Sequence, residues 1–223
     1  MPFEDRTQAG RRLAAALDRY RDTDAVVLAL PRGGVPVAAE VAAHLNAPLD
    51  LLLVRKIGVP GQPELAMGAV VEGAGTAAVR NEDVVRAARV SPVEFERVRQ
   101  AEVKEIERRR ARYLAGREPL DVAGRTVIVV DDGIATGATM RAAVAGLRQR
   151  GAGRTVIAIP VAPPEAVAEL QGEADEVICL EQPAAFGAIG YFYRDFRQIS
   201  DLEVISTLDA FSRRSGANSR PAG

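Results

Sequence analysis

Residues 127–139 read Val-Ile-Val-Val-Asp-Asp-Gly-Ile-Ala-Thr-Gly-Ala-Thr, and they restrict the fold more than any other stretch of the chain. Four β-branched residues without polar alternation describe a short strand covered on both faces, as in a parallel sheet. A helical pattern follows over residues 140–150 and stops at Gly151, a residue suited to the position just past a helix end. Asp131 and Asp132 therefore fall at the carboxyl end of a strand, where open α/β sheets bind their ligands. The next loop opens a helix, so its backbone N–H groups and the helix dipole converge on one point. A phosphate suits that point, and Thr136 and Thr139 can add hydroxyl hydrogen bonds. The two carboxylates would face vicinal hydroxyls or a hydrated divalent cation. Phosphate on one side and a diol on the other describe a phosphorylated ribose. Other strand–loop–helix sites match less well. There is no Gly-Lys-Ser/Thr and no G-x-G-x-x-G, and Gly133 stands where an aspartyl phosphotransferase wants a second carboxylate.

On these residues the chain resembles the type I phosphoribosyltransferases. Residues 127–139 are similar to that family's thirteen-residue motif for phosphoribosyl diphosphate (PRPP): four hydrophobics, two acids, then Thr-Gly-x-Thr. The order of segments over roughly residues 3–210 is similar to a group of bacterial proteins described by family alone. The resemblance implies that Ala135, Thr136, Gly137, Ala138 and Thr139 hold the 5′-phosphate, while Asp131 and Asp132 hold the ribose hydroxyls. It also implies Mg²⁺ as cofactor, bound through PRPP and bridged by water, if at all, to Asp131 and Asp132.

The units around this motif alternate strand and helix, which predicts a mainly parallel sheet with helices on both faces. Residues 4–20 have amphipathic helical spacing, and residues 25–30 form a buried strand. Pro31-Arg32-Gly33-Gly34 then joins that strand to a helix over 37–45. Paired glycines let a backbone approach an anion closely, and Arg32 adds a fixed positive charge. The loop is either an ordinary tight turn or an anion site, and the resemblance implies that Arg32, Gly33 and Gly34 hold pyrophosphate. Residues 49–54 give a strand ending in Arg55-Lys56. Residues 57–64, rich in Gly and Pro, predict a mobile loop, and 65–72 with 76–80 predict a hairpin. By resemblance this region closes over the reacting centre, with Arg55 and Lys56 near the pyrophosphate and Glu64 in a family-like run. A solvated pair at a strand end is the plain alternative for Arg55 and Lys56.

Asn81 predicts a cap for a short helix through Arg89. Ser91-Pro92-Val93-Glu94 carries a capping box with proline at the first helical position, opening a helix to about Ala115. Its Arg108-Arg109-Arg110 run is interleaved with glutamates at 102, 105 and 107, which predicts a solvated face and not a nucleic-acid surface. Strands follow over 154–161 and 175–180, with a helix over 163–170 between them. Residues 183–196 then concentrate five of the ten Phe and Tyr residues. In the family this segment builds a hood, so residues 181–211 with the N-terminal segment form the expected hood. Phe192 or Tyr193 could stack on an acceptor ring and Asp195 could bond a ring N–H, or the aromatics could simply pack the hood onto the sheet. Residues 198–211 predict a short helix and 212–223 a disordered tail, leaving residues 1–211 as one domain.

Composition narrows the function classes. A formal net charge of −1 offers no field for nucleic acid or an anionic membrane. No apolar stretch approaches the ~20 residues needed to span a bilayer, and the expected location is cytoplasmic. The single cysteine, Cys179, lies in an apolar run and predicts a buried, inert thiol. The single histidine, His44, predicts a surface or helix-end residue. The reaction implied by resemblance is displacement of pyrophosphate from PRPP by a nitrogenous acceptor, such as a nucleobase in nucleotide salvage, in a homodimeric enzyme. A PRPP-sensing regulator without transfer activity and a phosphoribosyl or nucleotide hydrolase are the alternatives, and the acceptor itself is not readable.

Overall fold

The computed structural model describes residues 2–72, 77–114 and 116–218. Its centre is a five-stranded sheet of β1 (Val26–Ala29), β2 (Leu49–Leu51), β6 (Thr126–Val130), β7 (Arg154–Val161) and β8 (Glu176–Glu181), in the order β2-β1-β6-β7-β8. Every pairing is parallel, as the strand–helix alternation predicts. Successive strand residues point to opposite faces. Val27, Ala29, Ile128 and Val130 enter one core with helices α1 (Arg6–Ala16), α2 (Gly34–Leu45) and α7 (Asp201–Asn218). Val26, Leu28, Val127 and Val129 enter another with α5 (Ala138–Gln149) and α6 (Pro164–Gln171). The four residues of β1 and Val127–Val130 of β6 are all buried, which explains the lack of polar alternation in the sequence.

A second, antiparallel sheet contains β3 (Val54–Val59), β4 (Gln62–Val71) and β5 (Ala77–Arg80). It is sandwiched between α5 and the long helix α4 (Pro92–Leu114). A Cβ at Gly146 of α5 would lie 2.6 Å from Val71 Cβ, so a bare Cα lets helix and sheet meet this closely. The capping box opens α4 as expected: Ser91 Oγ accepts from Glu94 N–H at 3.3 Å, and Glu94 Oε2 accepts from Ser91 N–H at 3.0 Å. Asn81 caps the short helix α3 (Glu82–Ala87) through Val84 N–H.

Three sequence expectations change. Strand β2 stops at Leu51, and residues 54–59 belong to the second sheet. Residues 57–64, expected as a mobile loop, are mostly strand, with a turn at Pro60-Gly61. The register shifts around Gly58 absorb Pro63, which has no N–H for a ladder, and a Cβ at Gly58 would meet Pro63 O at 2.6 Å. A bulge built of Gly and Pro reads as loop from sequence. Finally, residues 212–218, expected as disordered tail, continue α7; residues 219–223 lie outside the described part.

The N-terminal segment joins the aromatic stretch above the sheet. Phe3 N–H donates to Phe192 O at 2.7 Å, while Phe3 O and Glu4 O accept from the N–H groups of Arg194 and Asp195. Phe3, Ala9, Val161 and Tyr193 form a small core beneath it, flanked by Phe186, Phe192 and Phe196. Among the described residues no helix is long and apolar enough to cross a membrane.

Candidate functional site

Strands β1 and β6 are hydrogen-bonded neighbours, so the loops leaving their carboxyl ends stand side by side. After β6 the chain passes through Asp131 and Asp132 to Gly137, which takes φ +71° at the start of α5. Only glycine adopts that conformation cheaply. Residues 135–139 therefore wrap the N-terminus of a twelve-residue helix, where N–H groups and dipole favour an anion. Arg141 donates to Thr136 O at 3.1 Å and pairs with Glu169 of α6 at 2.6 Å, fixing the loop from its far side.

The β1 loop packs directly on the carboxylates. A Cβ on Gly33 would lie 2.0 Å from Asp132 Oδ2, and one on Gly34 would lie 2.7 Å from Val130 O and 2.9 Å from Asp131 Cα. Both glycines are thus required by proximity, since Gly33 has φ −61° and any residue tolerates that backbone. The Pro31–Arg32 peptide is cis. Arg32 remains partly exposed, 3.7 Å from Asp201 Oδ1 at the start of α7. Asp201 also accepts from Tyr113 Oη at 2.7 Å and pairs with Arg112 at 2.9 Å. These partners, Tyr113 first, hold its pKa below the ordinary range.

Asp131 Oδ1 accepts from Asp132 N–H at 2.8 Å. Asp132 is buried, and its Oδ2 accepts from Arg6 Nε at 2.7 Å. Burial pushes both acids upward in pKa. Asp131 is raised well above its usual value because the charge of Asp132 adds to desolvation, whereas Arg6 opposes the rise at Asp132. A cavity of about 360 Å³ opens here, lined by Arg6, Arg32, Gly33, Asp132, Phe196, Gln198 and Ile199. Arg32 and a carboxylate beside an aromatic ring suit a polar, anionic ligand with hydroxyl groups, while Arg6 is engaged by Asp132 and Arg197 O.

The Phosphoribosyl transferase domain model matches residues 3–196. This chain belongs to the phosphoribosyl transferase family. It is 49% identical over 211 residues to a Mycobacterium tuberculosis protein named "Putative phosphoribosyl transferase", the alignment covering 95% of this chain and 47% of the relative. The chain thus spans about half the length of the curated relatives it matches. It is also similar to the crystal structure of TT1426 from Thermus thermophilus, with 43% identity, a TM-score of 0.84 and coverage of 95% of this chain and 99% of that one.

Of the residues singled out from sequence, Arg32, Gly33, Gly34, Asp131 and Asp132 meet at one place, with 135–139 on the same sheet edge. Arg55 and Lys56 do not join them there. Arg55 lies in β3 and donates to Glu102 of α4 at 2.7 Å, and exposed Lys56 takes the opposite face of the strand. Glu64 is exposed in β4. Tyr193 is buried between Phe3 and Phe196, with centroids 5.4 and 5.0 Å away, and its Oη donates to Asp132 O at 2.5 Å. Burial drives its phenol far up in pKa. Phe192 stacks on Phe186 at 5.3 Å, and Asp195 is exposed, accepting from Arg197 N–H at 3.1 Å. The aromatic lining the cavity is Phe196 instead. Sequence reasoning passed over Arg6, Arg141, Phe196 and Asp201. Phe196 lay in the aromatic run already noted, whereas Arg6 and Asp201 carry no local signal of partners far away in sequence.

Proposed function

We propose that the protein is an Mg²⁺-dependent phosphoribosyltransferase, moving the 5-phosphoribosyl group from PRPP to a nitrogenous acceptor, a nucleobase by preference, with release of pyrophosphate. The observation that carries this reading is the packing of Gly33 and Gly34 onto the Asp131–Asp132 pair. It sets the loop assigned here to pyrophosphate, the acid pair assigned to the diol and the helix-terminal loop assigned to phosphate at adjacent strand ends, which supports this reading. A sugar phosphorylated at both ends spans those three elements.

Residues 135–139 would hold the 5′-phosphate through backbone N–H groups and the Thr136 and Thr139 hydroxyls. Asp131 and Asp132 would accept from the ribose hydroxyls and favour the positive charge that develops on the sugar. Arg32 and the N–H groups of residues 33–34 would bind pyrophosphate and stabilise it as it leaves. Holding both phosphates fixes the reacting carbon before the acceptor arrives. Arg55 and Lys56 would contribute to pyrophosphate only after movement of the β3–β4 hairpin, since Arg55 is paired with Glu102 in this structure. Among the described residues no group of three or more His, Cys, Asp or Glu side chains converges on one point. Hard carboxylate oxygens at Asp131 and Asp132 nevertheless suit Mg²⁺, which is commonly held by substrate phosphates, water and one or two acids. When bound it would neutralise charge on the diphosphate.

The test is pyrophosphate release from Mg²⁺–PRPP with a panel of purine, pyrimidine and pyridine-carboxylate acceptors. Acceptor-dependent release supports transfer. PRPP binding with no release for any acceptor supports a sensor, and release of ribose 5-phosphate without acceptor supports a hydrolase.

A further inference from the structure

Arg6 lies in the first turn of α1, 126 residues from Asp132 in sequence, yet its side chain is only 9% exposed. Its Nε donates to Asp132 Oδ2 at 2.7 Å, and Nη1 donates to Arg197 O at 2.9 Å. Its guanidinium carbon stands 4.0 Å from the centroid of Phe196 and 6.0 Å from that of Tyr193. One side chain therefore links the end of β6 to the segment covering it. Arginine suits this place, because its planar fork donates in two directions while its face stacks on a ring. Lysine offers the charge from a single nitrogen.

The same Asp132 oxygen is confined on another side by Gly33, where a Cβ would lie 2.0 Å away. The carboxylate is thus held between an arginine donor and a bare Cα. Its backbone carbonyl is held as well, by Tyr193 Oη at 2.5 Å. Each of these contacts restricts where the second carboxylate of the acid pair can point.

We propose that Arg6 is a positioning residue for sugar recognition. It fixes the Asp132 carboxylate in the orientation that meets a ribose hydroxyl, and it ties that orientation to the seating of residues 193–197. The inference rests on the phosphoribosyl reading above and assigns Arg6 a role that no motif contains. Arg6 acts through Asp132, while pyrophosphate is bound by residues 31–34. Loss of Arg6 should therefore weaken ligands that carry the sugar and spare pyrophosphate alone.

The experiment is calorimetric titration of the full chain with Mg²⁺–PRPP and, separately, with Mg²⁺–pyrophosphate, for wild type, Arg6→Met and Arg6→Lys. A hydrogen bond to a charged group is worth about 10- to 100-fold in affinity, so Arg6→Met, which leaves the Asp132 carboxylate unheld, should raise the PRPP Kd by about 10- to 100-fold. Its pyrophosphate Kd should stay within about twofold, and Arg6→Lys should recover part of the PRPP loss. An unchanged PRPP Kd, or equal loss of both ligands, overturns the proposal. If the Arg6 variants do not fold, Phe196→Leu decides it, because that change keeps the charge and removes the ring supporting it. PRPP-selective weakening supports the role, and unchanged PRPP binding overturns it. Wild type that binds pyrophosphate but not PRPP removes the phosphoribosyl reading itself, and this inference with it.

Discussion

Gly33→Ala is the substitution whose effect the geometry fixes most tightly. Gly33 has φ −61° and ψ −35°, so alanine meets no backbone penalty and should gain about 0.4–1 kcal/mol through a less flexible unfolded chain. Against this, the new methyl would stand 2.0 Å from Asp132 Oδ2 and 2.6 Å from its Cγ. Ordinary contact lies near ~3.5 Å, so the carboxylate must retreat by more than an ångström or the loop must move. Overpacking of this kind costs about 1–3 kcal/mol. If the retreat instead breaks the buried Arg6–Asp132 pair, the cost rises to about 3–5 kcal/mol. Net of the alanine gain, the loss is about 0–2.6 kcal/mol for overpacking and about 2–4.6 kcal/mol if the pair breaks. At about 2–4 °C per kcal/mol for a chain of this size, the melting temperature should fall by up to ~10 °C in the first case and by at least ~4 °C in the second. Affinity for Mg²⁺–PRPP should fall by about 10- to 100-fold, because the displaced carboxylate is the one assigned to the sugar and a hydrogen bond to a charged group contributes about 1.5–3 kcal/mol. Gly172→Ala is the matched control. Its φ is −78° and its nearest neighbour, Glu169 O, would lie 3.4 Å from the added methyl, so stability should be unchanged or slightly raised. Thermal melts followed by circular dichroism, with calorimetry of PRPP, measure both quantities. Equal behaviour of the two alanine variants in melting and in PRPP binding would refute the close-packing argument.

Three further outcomes are expected. Tyr193→Phe leaves the buried carbonyl of Asp132 without its donor and should cost about 1–3 kcal/mol, with acceptor preference unaltered in the release assay; a change in acceptor order would give Tyr193 a direct substrate contact. Cys179, expected as a buried thiol, is half-buried, and desolvation pushes its thiol up to about 11 from 9.0, so near neutral pH the folded protein should react with iodoacetamide about a hundredfold more slowly than the unfolded chain; comparable rates would contradict that shift. Glu72 is buried and its pKa is raised above 4.5 by desolvation, which its Arg110 partner only partly offsets. A raised folded value means that the protonated form favours folding, so this contribution is full below 4.5 and is lost as pH climbs through the folded value. Urea midpoints of wild type should therefore decline relative to Glu72→Gln as pH rises from about 4.5 toward neutrality, and parallel profiles would contradict the shift.

Much of this arrangement was legible because it is local. The uninterrupted run over 127–130, the capping box at Ser91 and Glu94, and Gly137 before α5 each specify their own conformation within a few residues. The parallel sheet followed from their order. What escaped depended on partners distant in sequence. Arg6 reaches Asp132 only when α1 packs against α2 and β7, and Arg55 is claimed by Glu102 of α4, which packs on β3. Tyr193 could be read from sequence either as a ring for stacking or as a packing residue, and only the fold shows it buried against Phe3 with a backbone partner for its hydroxyl. Residues 57–64 hid a strand pair because Gly58 and Pro63 serve a bulge there. The place of the acid pair at the end of β6 and the glycine turn into α5 were readable, while the side chains packed around them were not.

The proposed function requires that Asp131 and Asp132 recognise the sugar of PRPP between two anion sites. Calorimetric titration of Mg²⁺–PRPP into wild type and into the Asp131→Asn, Asp132→Asn double variant tests it most directly, with circular dichroism confirming the fold of both. Saturable binding by wild type and its loss in the folded double variant is the predicted result. Equal PRPP affinity in the two proteins would contradict it.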